Sequence, residues 1–412
     1  MTRWAAPARV LGDRLMDWAA LGCALAVRGG IVSGVRQTRN TAHTRVGRPS
    51  TPLTPLHPQG TVMAHLHKQF DDLLTLINVE PDILAATRER LVLARTLAEK
   101  HPEGRTSYSS GSIPVGTHVQ PHGGAVSDGD GGIILDRVRH PELGPDGEGE
   151  APHAVTDALV AFIGPKLRDP ERTPSYPKAR VCKSRRGLKI HFGAPVNGTD
   201  VTVDLIVALS RRDGRGLWIP DLEQVQGSKK AWSASDPQGH VELLTSGADA
   251  LRRTRRRAIR ILKAWNAQAA KPGFSSHQLS VWAYEFVEPR MGLVGAVYAV
   301  LREAALRLQR GEPTEDPRSV SPDLKPLIPD ADAERRLRVA ADKLAKAIAD
   351  PDDIDTVAEV LEQLFPKTMR ERERAFSAAS APLSTTASLG LAGASLLLPK
   401  TRSWREDVSV GW

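Results

Sequence analysis

The sequence predicts an α+β fold, in which a mixed half of strands and helices precedes an all-helical half. Three observations carry the prediction. Short β-branched runs such as Ile133-Ile134-Leu135 and Val201 to Leu209 are confined to the first half. A long amphipathic stretch, Asp82 to Lys100, leads into them. From Gly247 onward, apolar residues recur only at helical spacing.

In chain order, His65 to Ile77 places Leu66, Phe70, Leu73, Leu74 and Ile77 on one helical stripe. Asp82 to Lys100 adds Ile83, Leu84, Leu91, Leu93, Ala94 and Leu97, and stops at His101-Pro102-Glu103-Gly104. A glycine- and serine-rich stretch, Ser107 to Gly132, follows. Ala154 to Ile163 reads as a helix, and Leu188 to Phe192 and Val201 to Leu209 read as strands. The later helices are Ala248 to Gln268, His277 to Phe286, Gly292 to Gln309, Ala333 to Ala349 and Ile354 to Phe365. The expected domains are 63–245, an α/β unit, and 246–376, a helical bundle. A flexible tail at 377–412 and an N-terminal extension at 1–62 flank them. That extension reads as disordered, as a signal peptide, or as a segment preceding a physiological start at Met63.

A chain of 412 residues exceeds the usual single domain, and a hydrophobic fraction of 41% is enough for a sizeable core. The formal charge of +8 favours anionic partners, although much of it sits in the run Arg252–Arg257, which reads as a solvated helix face. Two cysteines, Cys23 and Cys182, exclude a disulfide framework and fit a reducing cytosol. Trp18 to Val27 is apolar but too short to cross a bilayer, so no membrane association is expected. His118, His122, His191 and His240 lack metal-ligand spacing and read as solvated or satisfied. The acidic, glycine-rich loop Arg139 to Pro152 reads as mobile and without a role.

The chemistry-bearing residues are Gly111-Ser112, then Asp128-Gly129-Asp130, then Asp204 inside the apolar run Val203-Asp204-Leu205. In a strand, residues two apart project from one face, so Asp128 and Asp130 can share a site that Asp204 completes from a neighbouring strand. Two or three carboxylates suit a pair of hard divalent cations about 4 Å apart, an arrangement that neutralises a triphosphate and activates a hydroxyl. Asp204 is the candidate base for that hydroxyl. Gly111 lets backbone amides approach phosphate oxygens, and the Ser112 hydroxyl adds a further contact. Taken alone, Asp-Gly-Asp-Gly-Gly is a turn as readily as a strand. Asp136 shares the parity of Asp130, so a shifted pair stays open.

This pattern of Gly111-Ser112, Asp128-x-Asp130 and a later strand Asp204 resembles the polymerase-β-like nucleotidyltransferases. With Gly116-Thr117 it is similar to the branch of cyclic GMP-AMP synthase and its bacterial relatives, the CD-NTases. Further similarity lies in Trp218-Ile219-Pro220-Asp221, Asp236-Pro237 with Gly239-His240, and Ile261-Leu262-Lys263-Ala264-Trp265-Asn266, so the resemblance spans Leu66 to Phe286. Gly129, Gly131 and Gly132 depart from it, standing where the family often has apolar residues. The resemblance implies that 63–245 is a catalytic core with a long spine helix under a mixed sheet. It implies that Lys263 and Ser276 reach the triphosphate, and that two Mg²⁺ ions, replaceable by Mn²⁺, are held by Asp128, Asp130 and Asp204. It further implies that NTPs such as ATP or GTP are condensed into a cyclic di- or oligonucleotide for anti-phage signalling. A separate downstream effector would read the product, a regulatory partner is a further option, and nucleic acid is not required. The alternatives are an RNA-tailing or toxin/antitoxin-type nucleotidyltransferase and, from another class, a non-catalytic basic nucleic-acid-binding module.

Overall fold

The computed structural model describes residues 64–120, 126–224 and 231–380. The expected extension at 1–62 and most of the expected tail lie outside these residues. In chain order the elements begin with helices α1 (Ala64–Leu76) and α2 (Pro81–Glu99), strand β1 (Gly104–Ser110), a single turn α3 (Ser112–Val115) and β2 (Ser127–Leu135). Then come α4 (His153–Arg168), β3 (Arg180–Ser184), β4 (Gly187–His191), β5 (Val201–Ser210), β6 (Leu217–Pro220) and β7 (Trp232–Ser235). Seven helices complete the described residues: α5 (Pro237–Thr245), α6 (Asp249–Asn266), α7 (Ser276–Phe286), α8 (Leu293–Gln309), α9 (Asp330–Ala349), α10 (Ile354–Leu364) and α11 (Pro366–Ser380). No described helix is long and apolar enough to cross a membrane.

The strands form one sheet in the order β1-β2-β5-β4-β3, with β6 continuing from β5 and β7 from β6. Only β2 and β5 pair in parallel, which makes the sheet mixed. Residue parity divides its two faces. Ile133 and Leu135 of β2, Leu188 and Ile190 of β4, and Val203, Leu205, Val207 and Leu209 of β5 bury against α2 and α4. On the opposite face, Ile134 and Ala208 join Tyr108, Leu217 and Ile219 in a smaller apolar cluster. Asp128, Asp130, Asp204 and Lys189 have this second parity, so the alternation that buries the valines turns these four side chains away from α2.

The three glycines of β2 explain why a segment so poor in strand formers is nevertheless a strand. A side chain on Gly129 would press on Thr87 and Leu91 of α2, and one on Gly131 would meet the Tyr108 carbonyl oxygen at 2.7 Å. At Gly132 an added Cβ would lie 2.3 Å from Cζ of Tyr108, whose buried ring covers that position. Close packing by the spine helix and by Tyr108 therefore demands glycine here, outweighing its poor strand propensity. Strand β2 ends at Leu135, and Asp136 instead accepts a hydrogen bond from the Val138 amide at 3.0 Å, which removes the shifted Asp130–Asp136 pair.

The loop expected to be mobile, Arg139 to Pro152, is tied down. Leu143 and Ala151 are buried in the sheet–helix core, Asp146 accepts the Trp218 indole N–H at 2.8 Å, and Trp232 donates to the Glu150 carbonyl at 3.1 Å. The Asp146 carboxylate anchors one indole and Arg137, and the Glu150 backbone anchors the other indole.

The helical half has its own core, in which Ile259, Leu262, Trp282, Val297, Leu301, Leu337, Leu344 and Leu361 are buried together. Helix α1 contributes Leu66, Phe70 and Leu73 to this cluster and packs against α6 and α8, so the first described helix belongs to the core of the helical half. Helix α11 starts at Pro366, a residue suited to a first helical turn, and runs to Ser380.

Gly132→Ala should lower stability by about 1–3 kcal/mol through clash with the Tyr108 ring. Combining it with Tyr108→Ala, which empties that space, should recover part of the loss relative to the sum of the single changes. Urea unfolding of the two single variants and the double variant checks this; strictly additive losses would contradict it.

Candidate active site

Strands β2 and β5 run side by side with Asp130 directly opposite Asp204 and Asp128 opposite Thr202. On the other side of β5, Lys189 of β4 is opposite Asp204. Its ammonium lies 3.3 Å from Asp128 Oδ1 and 3.3 Å from Asp204 Oδ2, bridging the two strands, while Thr202 donates a short hydrogen bond to Asp128 Oδ1. Asp204 Oδ1 is buried without a hydrogen-bond partner.

Burial and like charge change the acidity of Asp130 and Asp204. Burial, followed by the charges of Asp128 and Asp204, pushes Asp130 up to about 6. Burial also raises Asp204, against the opposing pull of Lys189. For Lys189, burial works against the charge, but the two neighbouring carboxylates outweigh it and hold the ammonium above its usual range.

The Gly111-Ser112 element faces this cluster because β1 pairs with β2 so that Ser110 lies opposite Asp130. Gly111 sits at φ 69°, and a Cβ there would fall 2.1 Å from Asp130 Oδ2, so both the conformation and the contact require glycine. Ser112 opens the turn of α3, which Gly116 closes in the left-handed region. The Ser112 hydroxyl is 2.6 Å from Nδ1 of His118.

Lys263 approaches from α6, in the helical half. Its ammonium donates to the Thr117 carbonyl at 3.0 Å, and burial lowers it to about 8 despite the attraction of Asp130. Ser276 is the first residue of α7, with Ser275 as the cap whose hydroxyl accepts the Gln278 amide at 3.1 Å. Gly111, Ser112, Asp128, Asp130, Asp204, Lys263 and Ser276, every residue singled out from the sequence, line one open cleft of about 840 Å³ between sheet and helices.

The sequence reading missed three contributors to this cleft. Lys189 was legible as a charged residue between Leu188 and Ile190 on a strand next to the one carrying Asp204. His118 could be suspected only from its distance of six residues from Ser112. The third is the group of His240, His277 and Asp316, whose potential ligand atoms lie within 4.8 Å of one another. The Asp316 carboxylate is already filled: Oδ1 receives His240 Nε2 at 2.6 Å and the Arg318 amide, and Oδ2 receives the amides of Val320 and Ser321. Those amides and His240 hold its pKa down to about 2 against the effect of burial. The His240–Asp316 contact clamps α5 to the segment after α8, and the His277 ring of α7 lies against that of His240 with centroids 4.5 Å apart. His191 pairs loosely with Asp200 at 3.4 Å, and His122 lies outside the described residues.

Because the folded-state pKa of Asp130 is raised, its contribution to stability is present below the ordinary carboxylate range and is lost as pH rises through about 6. In EDTA at pH 7.5, Asp130→Asn should therefore melt at a higher temperature than the parent protein, by an amount equivalent to roughly 2–3 kcal/mol at most. The difference should shrink near pH 4, where both side chains are neutral. A variant that melts at or below the parent temperature at pH 7.5 would contradict this charge stress.

No family model matches the chain, and no curated protein is similar to it in sequence. Similarity emerges in three dimensions. The chain resembles the CD-NTase CdnG of Bradyrhizobium diazoefficiens, solved in complex with GTP, at a TM-score of 0.56 and 16% identity, covering 76% of this chain and 98% of that one. It also resembles the CdnC:HORMA-deltaN complex of E. coli MS115-1, at a TM-score of 0.51 and 13% identity, with 74% and 98% covered. The sheet with its spine helix and the helical C-terminal region therefore share the CD-NTase fold of these structures.

Proposed function

We propose that this chain is a metal-dependent nucleotidyltransferase that condenses NTPs into a cyclic di- or oligonucleotide with release of pyrophosphate. The observation that carries the reading is the pairing of Asp130 with Asp204 across parallel strands, beside Asp128 and opposite Gly111-Ser112. The likeness in fold to CdnG, a CD-NTase solved with GTP, supports it.

The residues present fit hard divalent cations. Three carboxylates converge, one of their oxygens is buried without a partner, and burial pushes Asp130 and Asp204 toward protonation despite the nearby lysines. Mg²⁺ or Mn²⁺ held by Asp128, Asp130 and Asp204 would supply charge neutralisation at the phosphates and a more acidic hydroxyl. Lys189, which now bridges Asp128 and Asp204, would have to give up those contacts to such a cation.

The chain's own groups do the rest. Backbone at Gly111, the Ser112 hydroxyl, Lys263 and Ser276 hold the triphosphate, Lys263 acting as a point charge from the helical side. A ribose hydroxyl of a second nucleotide attacks the α-phosphorus, forming a new P–O bond as the bond to the bridging α–β oxygen breaks and pyrophosphate departs. Asp204 takes the hydroxyl proton. A second round on the turned linear intermediate closes the ring.

The basic-module alternative loses its main support on α6. Arg252 pairs with Asp249, Arg257 with Asp71, and Arg255 stacks over Tyr284 at 4.6 Å, so much of the arginine run is engaged within the chain. The RNA-tailing alternative shares the same site and is separated by its product. The remaining elements of the proposal are a cytoplasmic setting, an anti-phage signalling role and a separate effector for the product. A regulatory partner has a precedent in fold, since the similar CdnC is solved with a HORMA protein.

Incubation with labelled NTPs and Mg²⁺ or Mn²⁺, then phosphatase and mass spectrometry, tests the reading. The expected result is a phosphatase-resistant product, absent from the Asp128→Ala, Asp130→Ala double variant. Linear products alone would transfer the assignment to tailing, and no nucleotide product under any NTP mixture would overturn it.

A further inference from the structure

Behind Ser112, four side chains stand in single file. Ser112 Oγ lies 2.6 Å from His118 Nδ1, His118 Nε2 lies 2.9 Å from Ser127 Oγ, and Ser127 Oγ lies 3.0 Å from Thr87 Oγ1. At the inner end the Thr87 hydroxyl donates to the Ile83 carbonyl at 2.7 Å. Thr87 and Ser127 are buried.

The direction of every proton in this file follows from its inner end. A carbonyl oxygen only accepts, so the Thr87 proton points to Ile83 and Thr87 Oγ1 must accept from Ser127. Ser127 Oγ, its own proton spent, accepts from His118 Nε2–H. The ring carries a single proton near neutrality, because burial and then the charge of Lys263 hold its pKa down to about 4, with Arg260 and Arg88 adding to this and Asp128 opposing it. Nδ1 is therefore a bare acceptor, and the Ser112 proton points inward, toward His118 and away from the cleft.

A phosphate oxygen also only accepts. For Ser112 to donate to a triphosphate, its proton must turn outward, which would leave two lone pairs facing each other across 2.6 Å unless Nδ1 acquires a proton. We propose that His118 is a positioning residue for the phosphate-binding serine, and that triphosphate binding converts His118 Nδ1 from hydrogen-bond acceptor to donor, turning the Ser112 hydroxyl toward the phosphate. This rests on the assignment of Ser112 to the triphosphate made above. The proton reaching Nδ1 comes from solvent, and the ring either keeps Nε2–H or releases it as the inner hydroxyls reverse. Either way the donor at Nδ1 is the new element. His118 thus makes Ser112 a switched rather than a permanent donor.

The direct test is ¹⁵N NMR of the imidazole in the full chain labelled at histidine, with His118→Asn as the assignment control. The probes are inorganic tripolyphosphate and a non-hydrolysable GTP analogue, each with Mg²⁺. Without ligand, Nδ1 should give the signal of a bare ring nitrogen; with saturating ligand it should move to that of a protonated one. Protonated Nδ1 before ligand, or bare Nδ1 after saturation, would overturn the proposal. In parallel, Ser112→Ala and His118→Phe should each weaken tripolyphosphate binding about tenfold, the order expected for one hydrogen bond to a charged group, with little further loss when combined. His118→Asn, which can present either an acceptor or a donor near the Nδ1 position, should restore most of the affinity. Additive losses, or no effect of His118→Phe while Ser112→Ala weakens binding, would remove His118 from the role. If Ser112→Ala itself binds tripolyphosphate normally, the serine assignment fails instead.

Discussion

Everything in the cleft answers one electrostatic constraint: Asp130 and Asp204 stand opposite each other on parallel strands with Asp128 two residues away. Three carboxylates in a partly desolvated place repel one another and lack the water that would screen them. Without added cations the chain relieves this in two visible ways. Lys189 bridges Asp128 and Asp204, and Asp130 has a proton affinity that reaches almost to neutral pH. Both are compromises that the proposed divalent cations would make unnecessary. A site stabilised chiefly by what it binds has stability given up to function.

Geometry for that site comes from both halves of the chain. The sheet supplies the acids and the Gly111-Ser112 turn, while Lys263 and Ser276 arrive on helices whose core includes α1. The Lys263–Thr117 hydrogen bond joins the two sides at the floor of the cleft. Arg256 lies so close to Gly116 that an added Cβ would be 2.9 Å from its side chain, which ties α6 to the turn behind Ser112. The groups proposed to hold the triphosphate are thereby fixed by packed helices and strands instead of by free loops, as preorganised electrostatic stabilisation requires.

Period-two alternation in Val201 to Leu209 placed Asp204 on a face of its own, and helical spacing located the helices from α6 to α10 to within a few residues. What stayed hidden depended on partners distant in sequence. The glycine- and serine-rich composition from Ser107 onward gives no strand signal, yet Gly104–Ser110 is a strand because β2 offers it a hydrogen-bonding edge and Tyr108 finds Gly132. The glycines of β2 looked like defects until the spine helix showed why side chains have no room there. Asp146 looked like part of a mobile acidic loop, although its partner, Trp218, lies 72 residues away. Lys189 and His118 carried no motif, and their meaning exists only in three dimensions.

The most direct test of the account is to count divalent cations. Electron paramagnetic resonance titration of Mn²⁺ in the presence of a non-hydrolysable NTP should show two bound ions per chain, falling to one or none in Asp204→Asn. Equal Mn²⁺ binding by the parent protein and by Asp204→Asn would contradict the claim that the three carboxylates form a single metal-binding centre.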